Sequence, residues 1–179
     1  MAKKKLLITT FLYFFLSSFG LSSEQKIVYL NLDYLVQKSE PGKLILQELD
    51  NTKRNFIEKF KLQKNNLKIK EENLIKKKNI LSKEEFDDQV LALRKEMDLY
   101  NKDRQKTFSV FEKNKKEKLD EFLKKITPLI RAFVEENSIN IVLNEKNLFI
   151  ASKKFDITNQ IVEIINKTIK KWNHSTNQI

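Results

Sequence analysis

Two short apolar segments, more than 100 residues apart, limit what this chain can fold into. Lys26-Ile27-Val28-Tyr29-Leu30-Asn31 is β-branched and aromatic and predicts a strand. Ile139-Asn140-Ile141-Val142-Leu143-Asn144 has the same character and predicts its partner. Nearly everything between them is charged, Lys-rich and helical in pattern. If the two segments pair, the body is small and mixed, and the intervening chain projects from it as a long helical hairpin.

The body reads as α+β. After Asn31, Asp33 is placed to cap a short helix that runs through Val36 and stops at Ser39-Glu40-Pro41-Gly42. Pro41 and Gly42 predict a hinge before the first limb of the hairpin. Near the other end, Asn137 or Ser138 closes the second limb. The Ile139–Asn144 strand follows, then a turn at Glu145-Lys146-Asn147 and a third strand at Leu148–Ala151. Asp156 is expected to cap a last helix with an apolar face of Ile157, Ile161, Ile164, Ile165 and Ile169. Such a core is marginal alone, and oligomerisation would cover its sheet edges.

From Phe86 the apolar residues step by four and three, through Val90, Leu93, Met97 and Tyr100. The register meets Arg104 and Thr107, then resumes at Phe111, Phe122, Ile126, Leu129 and Phe133. So narrow a stripe predicts a coiled-coil seam. The preceding limb is weaker. Leu49, Phe56, Phe60, Leu67, Leu74 and Leu81 share a face, but Gln63, Lys70 and Lys77 interrupt it. Asn79–Ser82 predicts the tip, and Ser82 with Glu85 forms a capping-box pattern that opens the second limb. A turn there sets Leu74 roughly opposite Asp87 and Leu67 roughly opposite Arg94. Pro128 lies inside the helical pattern and predicts a bend where the limb rejoins the body. The expected division is therefore residues 1–22 as a signal peptide, 23–42 with 128–179 as the oligomerisation body, and 43–127 as the arm.

Composition removes several function classes. There is no Cys and one His, so a disulfide is excluded and a protein-only zinc site lacks its usual ligands. With 2 Gly in the chain there is no Gly-rich phosphate loop, and no cofactor is expected. His174 stands alone in a polar tail, and Trp172 is expected to cover the last helix. The acidic pairs Glu71-Glu72, Glu84-Glu85, Asp87-Asp88 and Glu135-Glu136 are sequence neighbours on helices, so their side chains diverge by about 100°. No enzyme is expected. Lys3, Lys4 and Lys5, an apolar run from Leu6 to Phe19 and the small residues after it predict a cleaved secretory signal peptide and an exported mature protein.

The net charge is +11, with 23 Lys/Arg against 16 Asp/Glu between Lys43 and Thr127. That surplus favours acidic partners and fast encounter at low salt. The four Arg in the whole chain suit nucleic-acid recognition poorly, so no specific nucleic acid is expected.

The strand Lys26–Asn31, followed by Leu35-Val36-Gln37-Lys38-Ser39 and Gly42-Lys43, resembles the start of the Skp, or OmpH, family of periplasmic chaperones. Pro128, Ile139–Asn144 and Phe155-Asp156-Ile157-Thr158 with its Ile-rich helix resemble the family's end, in the same order. Many relatives have Gly before the second strand, where this chain has Asn137-Ser138. Asn tolerates the left-handed conformation that the turn needs. The resemblance implies a homotrimer with a β-barrel-like core and three antiparallel coiled-coil arms around a cavity. Its implied activity is ATP-independent holding of unfolded outer-membrane proteins before their insertion, with the barrel-assembly machinery as an indirect partner. The body strands would contribute Ile27, Val28, Tyr29, Leu30, Ile139, Ile141, Val142 and Leu143. Arm residues expected to meet the client are Lys61, Leu62, Lys68, Ile69, Ile75, Lys76, Leu91, Leu99 and Phe108, with Val110 beside them. An anionic lipid or lipopolysaccharide surface would also suit the charge, although no residue set marks a discrete site. The competing readings are a structural coiled-coil spacer of the envelope and a basic nucleic-acid-binding protein.

Overall fold

The computed structural model describes residues 25–170 and 172. The predicted signal peptide and His174 lie outside the described residues. The element order is β1 (Ile27–Leu30), α1 (Leu32–Lys38), α2 (Glu40–Lys76), α3 (Lys83–Glu136), β2 (Ile141–Asn144) and α4 (Thr158–Thr168). Single 3-10 turns at Glu145–Asn147 and Lys153–Phe155 link β2 to α4.

β1 and β2 form a two-stranded parallel sheet in the register Ile27↔Ile141 to Leu30↔Asn144. Side chains alternate across it. Val28, Leu30 and Val142 join the helical core, whereas Ile27, Ile141 and Leu143 remain exposed. Lys26 N–H donates to Asn140 Oδ1 at 2.8 Å and holds the start of the pairing. Ile139 is buried just before β2. No third strand forms at Leu148–Ala151. Those residues are irregular, and Phe149 and Ile150 are almost fully exposed. An extended segment needs a sheet edge to satisfy its backbone, and among the described residues no sheet edge pairs with it.

Asn31, not Asp33, caps α1: its Oδ1 accepts from Tyr34 N–H at 2.8 Å. Ser39 then ends α1 and caps α2, its Oγ accepting from Gly42 N–H at 3.3 Å. Pro41 and Gly42 are consequently buried in the first turn of α2 rather than lying between elements. A first-turn N–H has no intrahelical partner to lose, so Pro fits there without breaking the helix. Glu40 N–H donates to Asn166 Oδ1 at 2.8 Å and ties this corner to α4. Asp156 does not occupy the N-cap position of α4, but its Oδ1 accepts from Thr158 N–H at 2.9 Å just outside it.

α2 has 37 residues and α3 has 54, about 55 and 80 Å long at 1.5 Å per residue. Lys118 pairs with Glu48, Lys59 with Asp103 and Lys70 with Glu96, so numbers climb on one helix as they fall on the other. The register is shifted from the sequence-based one. Leu74 lies by Gln89, Ala92 and Leu93, and Leu67 by Glu96, Leu99 and Tyr100. The cause is the link, where Lys77–Ser82 forms a broad turn. The capping box is present: Ser82 Oγ accepts from Glu85 N–H, and Glu85 Oε2 accepts from Ser82 N–H at 3.1 Å. The Ser82 hydroxyl, which donates to Glu85 Oε2 at 2.7 Å, and then the Ser82 N–H hold the Glu85 carboxyl below its ordinary pKa.

The core gathers residues from every layer: Val28 and Leu30 from β1, Leu35 from α1, Ile45 and Leu49 from α2, Phe111, Phe122 and Ile126 from α3, and Ile161 and Ile165 from α4. The boundaries expected at residues 42/43 and 127/128 therefore fall within helices, and the roots of both long helices belong to the core. Beyond it, Phe56 meets Phe111 edge-on at 5.3 Å, and Phe60 meets Tyr100 at 5.8 Å. Such pairs contribute about 0.5–1.5 kcal/mol each beyond area burial.

Candidate functional site

The candidate surface is the outside of α2 and α3. A narrow seam leaves most of each helix to solvent, because only Phe60, Leu74, Phe111 and residues nearer the body are buried. Leu62, Ile69, Ile75, Leu91, Leu99 and Phe108 are between 52% and 68% exposed, and Val110 is 44% exposed. They do not make one stripe. At about 100° per residue, Leu62 and Ile69 lie on the side of α2 opposite Phe60, whereas Ile75 flanks the seam. Leu91 lies opposite Leu93 on α3, and Leu99 borders a gap between the helices. The gap has a volume of about 330 Å³ and is lined by Gln63, Asn66, Leu67, Lys70, Glu96, Tyr100 and Asp103 as well. Polar residues at seam positions cannot interdigitate as Leu would, and the helices stand apart there.

The charge on this surface is largely free. Eleven cations lie between Lys53 and Lys83, and four of them form ion pairs: Arg54, Lys59, Lys68 and Lys70. Lys61 and Lys76 form none among the described residues. Lys68 lies 3.7 Å from Glu72, so it is partly neutralised. α2 therefore presents dispersed aliphatic groups among ammonium heads with long flexible stems.

The body carries a second exposed apolar set. Ile27, Ile141 and Leu143 share the open sheet face, with Phe149 and Ile150 on the segment after β2. Tyr29 is buried. Its phenol is held above the ordinary pKa, first by desolvation and then by the Asp156 and Glu145 charges, so it stays neutral. The exposure of Phe149 and Ile150 was not apparent from sequence, because an apolar run reads as strand with or without an edge to join. Among the described residues no group of three or more metal-ligating side chains is assembled, and no helix is long and apolar enough to cross a membrane.

The family "Outer membrane protein (OmpH-like)" matches residues 26–165, which span most of the chain. This chain belongs to the OmpH-like family. The crystal structure of an OmpH-like protein from Caulobacter crescentus CB15, named as an outer membrane chaperone, has the same fold. Its TM-score is 0.73 at 15% identity, covering 85% of this chain and 90% of that one. No curated protein matches the sequence. The OmpH-like fold thus accounts for the two long helices and the small sheet together. The match includes both strands, both long helices and most of α4, and it ends before Trp172.

Proposed function

We propose that this chain is an ATP-independent holdase of the periplasm, exported by its first 22 residues, that keeps unfolded outer-membrane proteins from aggregating. The observation that supports this most is the arm surface: isolated exposed aliphatic side chains set among unpaired lysines on an OmpH-like fold. A single such contact is weak. Three antiparallel coiled-coil arms around one cavity would multiply contacts at high effective concentration. The cavity requires a homotrimer. Ile27, Ile141, Leu143, Phe149 and Ile150 would build its barrel-like core by joining sheet edges and apolar faces between copies. Lys61, Leu62, Lys68, Ile69, Ile75, Lys76, Leu91, Leu99 and Phe108 are the residues of the arm that would meet the client, with anionic lipid as a secondary partner for the lysines.

The test is light scattering of an unfolded outer-membrane barrel protein diluted out of denaturant, with and without the purified mature protein. Suppression at one trimer per client in low salt is the expected outcome. Aggregation that proceeds unchanged would overturn the reading.

A further inference from the structure

The long helix α3 departs from regular backbone hydrogen bonding at its root. Pro128 has no N–H, so the Lys124 carbonyl loses its intrahelical donor. One residue earlier, Thr127 Oγ1 donates to the Leu123 carbonyl at 2.7 Å, a back-bond that also favours bending. Two successive residues thus loosen a single turn at the root of α3.

Trp172 spans that turn from outside. It lies four residues after the end of α4 and seven beyond the end of the family match. Its indole packs against Phe122 with ring centroids 6.0 Å apart, and Lys125 Nζ stands 4.2 Å from the ring centre. Phe122 is fully buried, and Lys125 is also paired with Glu121 at 2.9 Å. Phe122 and Lys125 lie on the arm side of Pro128, whereas α4, which delivers Trp172, packs into the body through Ile161 and Ile165. The indole therefore adds a contact across the loosened turn to the core packing of Phe122 and Ile126 at the root of the arm.

We propose that Trp172 is a brace that stiffens the root of the arm against bending at Thr127-Pro128. An outward swing of α3 at that turn must carry Phe122 and Lys125 away from the indole and wet both rings. Part of the resistance to bending then comes from the chain after residue 165, beside the core packing of Phe122 and Ile126, and this holds whether or not the arm binds clients.

The chain has one Trp, so its fluorescence reports the brace directly. In the wild-type protein, emission at shorter wavelength than free tryptophan and shielding from iodide are expected. Emission and quenching equal to free tryptophan would overturn the docking. Hydrogen exchange on the full chain then tests the stiffness. Trp172→Ala should speed exchange across 119–127 by roughly fivefold or more while the β1 and β2 amides keep their rates. Pro128→Ala, which restores the missing donor, should return exchange in the Trp172→Ala background towards wild type. Unchanged exchange at the root, or faster exchange of root and strands alike with no rescue by Pro128→Ala, sinks the proposal. Should Trp172→Ala fail to fold, Trp172→Phe decides: it should give an intermediate root rate, and a wild-type rate counts against the brace.

Discussion

At the scale of single residues, two backbone positions carry more than their size suggests. Gly42 sits where α1 and α2 turn against each other. A Cβ there would lie 2.7 Å from the Val36 carbonyl carbon and 2.8 Å from Ser39 Oγ, and closer still to the Val36 oxygen. Because the obstruction is backbone, the corner has to move. Gly42→Ala is expected to destabilise the protein by about 1–3 kcal/mol in urea unfolding, the usual cost of overpacking. Ser138 presents the opposite case. It has φ 51°, and Ile139 N–H donates to the Val134 carbonyl at 3.0 Å in a Schellman closure of α3. The left-handed residue is Ser138, whereas Asn137 keeps φ −100°. Ser138→Gly should therefore stabilise the protein by about 0.5–1 kcal/mol, since it removes the side-chain clash. An unchanged or lowered unfolding midpoint would contradict that assignment.

At the scale of elements, the seam between α2 and α3 decides how firmly the arm holds together. Gln63 Oε1 is buried without a hydrogen-bond partner beside the 330 Å³ gap. The ion pairs around it, Lys59–Asp103 and Lys70–Glu96, are half exposed and worth about 0–1 kcal/mol each. Gln63→Leu should raise stability by about 1–2 kcal/mol, because it removes an unsatisfied polar atom and adds apolar contact with Leu67 and Tyr100. A lower thermal midpoint would show that the gap cannot accept the leucine. Most of the seam was legible in the sequence, since Phe86, Val90, Leu93, Tyr100 and Phe111 keep helical spacing and lie at least partly buried, whereas Met97 on the same stripe is exposed. Ser82 and Glu85 were legible for a similar reason: a capping box is local chemistry. The register was not, because it depends on how many residues the turn consumes, and Lys77–Ser82 consumes more than a tight tip would. Pro41-Gly42 misled for another reason. Breaker residues read as a hinge until a cap such as Ser39 places them in a first turn.

At the scale of the whole molecule, exposed apolar groups fall into two kinds. On the arm they are dispersed among lysines, whereas on the body Phe149 and Ile150 lie side by side. The body strands were legible because Ile27–Leu30 and Ile141–Asn144 match in length and character. The fate of Leu148–Ala151 was not, since its backbone finds no edge within one chain. If the proposed trimer joins through that segment, the double variant Phe149→Asp with Ile150→Asp should have the native mass of a monomer. A persistent trimer would place the interface elsewhere. The aliphatic residues exposed on the arm were legible only as a class: positions off the seam could be picked out, but not the sides of the helices on which they fall.

The parallel pairing of β1 with β2 also bears on the order in which this protein folds. Lys26 and Asn140 are bonded across 114 residues, and closing so long a loop unaided is slow. The two long helices need no such search. The turn at Lys77–Ser82 and its capping box are local, and zipping from there towards Glu48 and Lys118 brings the distant strands within reach of each other. Helix pairing is therefore expected to precede the sheet, and pulsed hydrogen exchange during refolding should protect the α2 and α3 amides before those of β1 and β2.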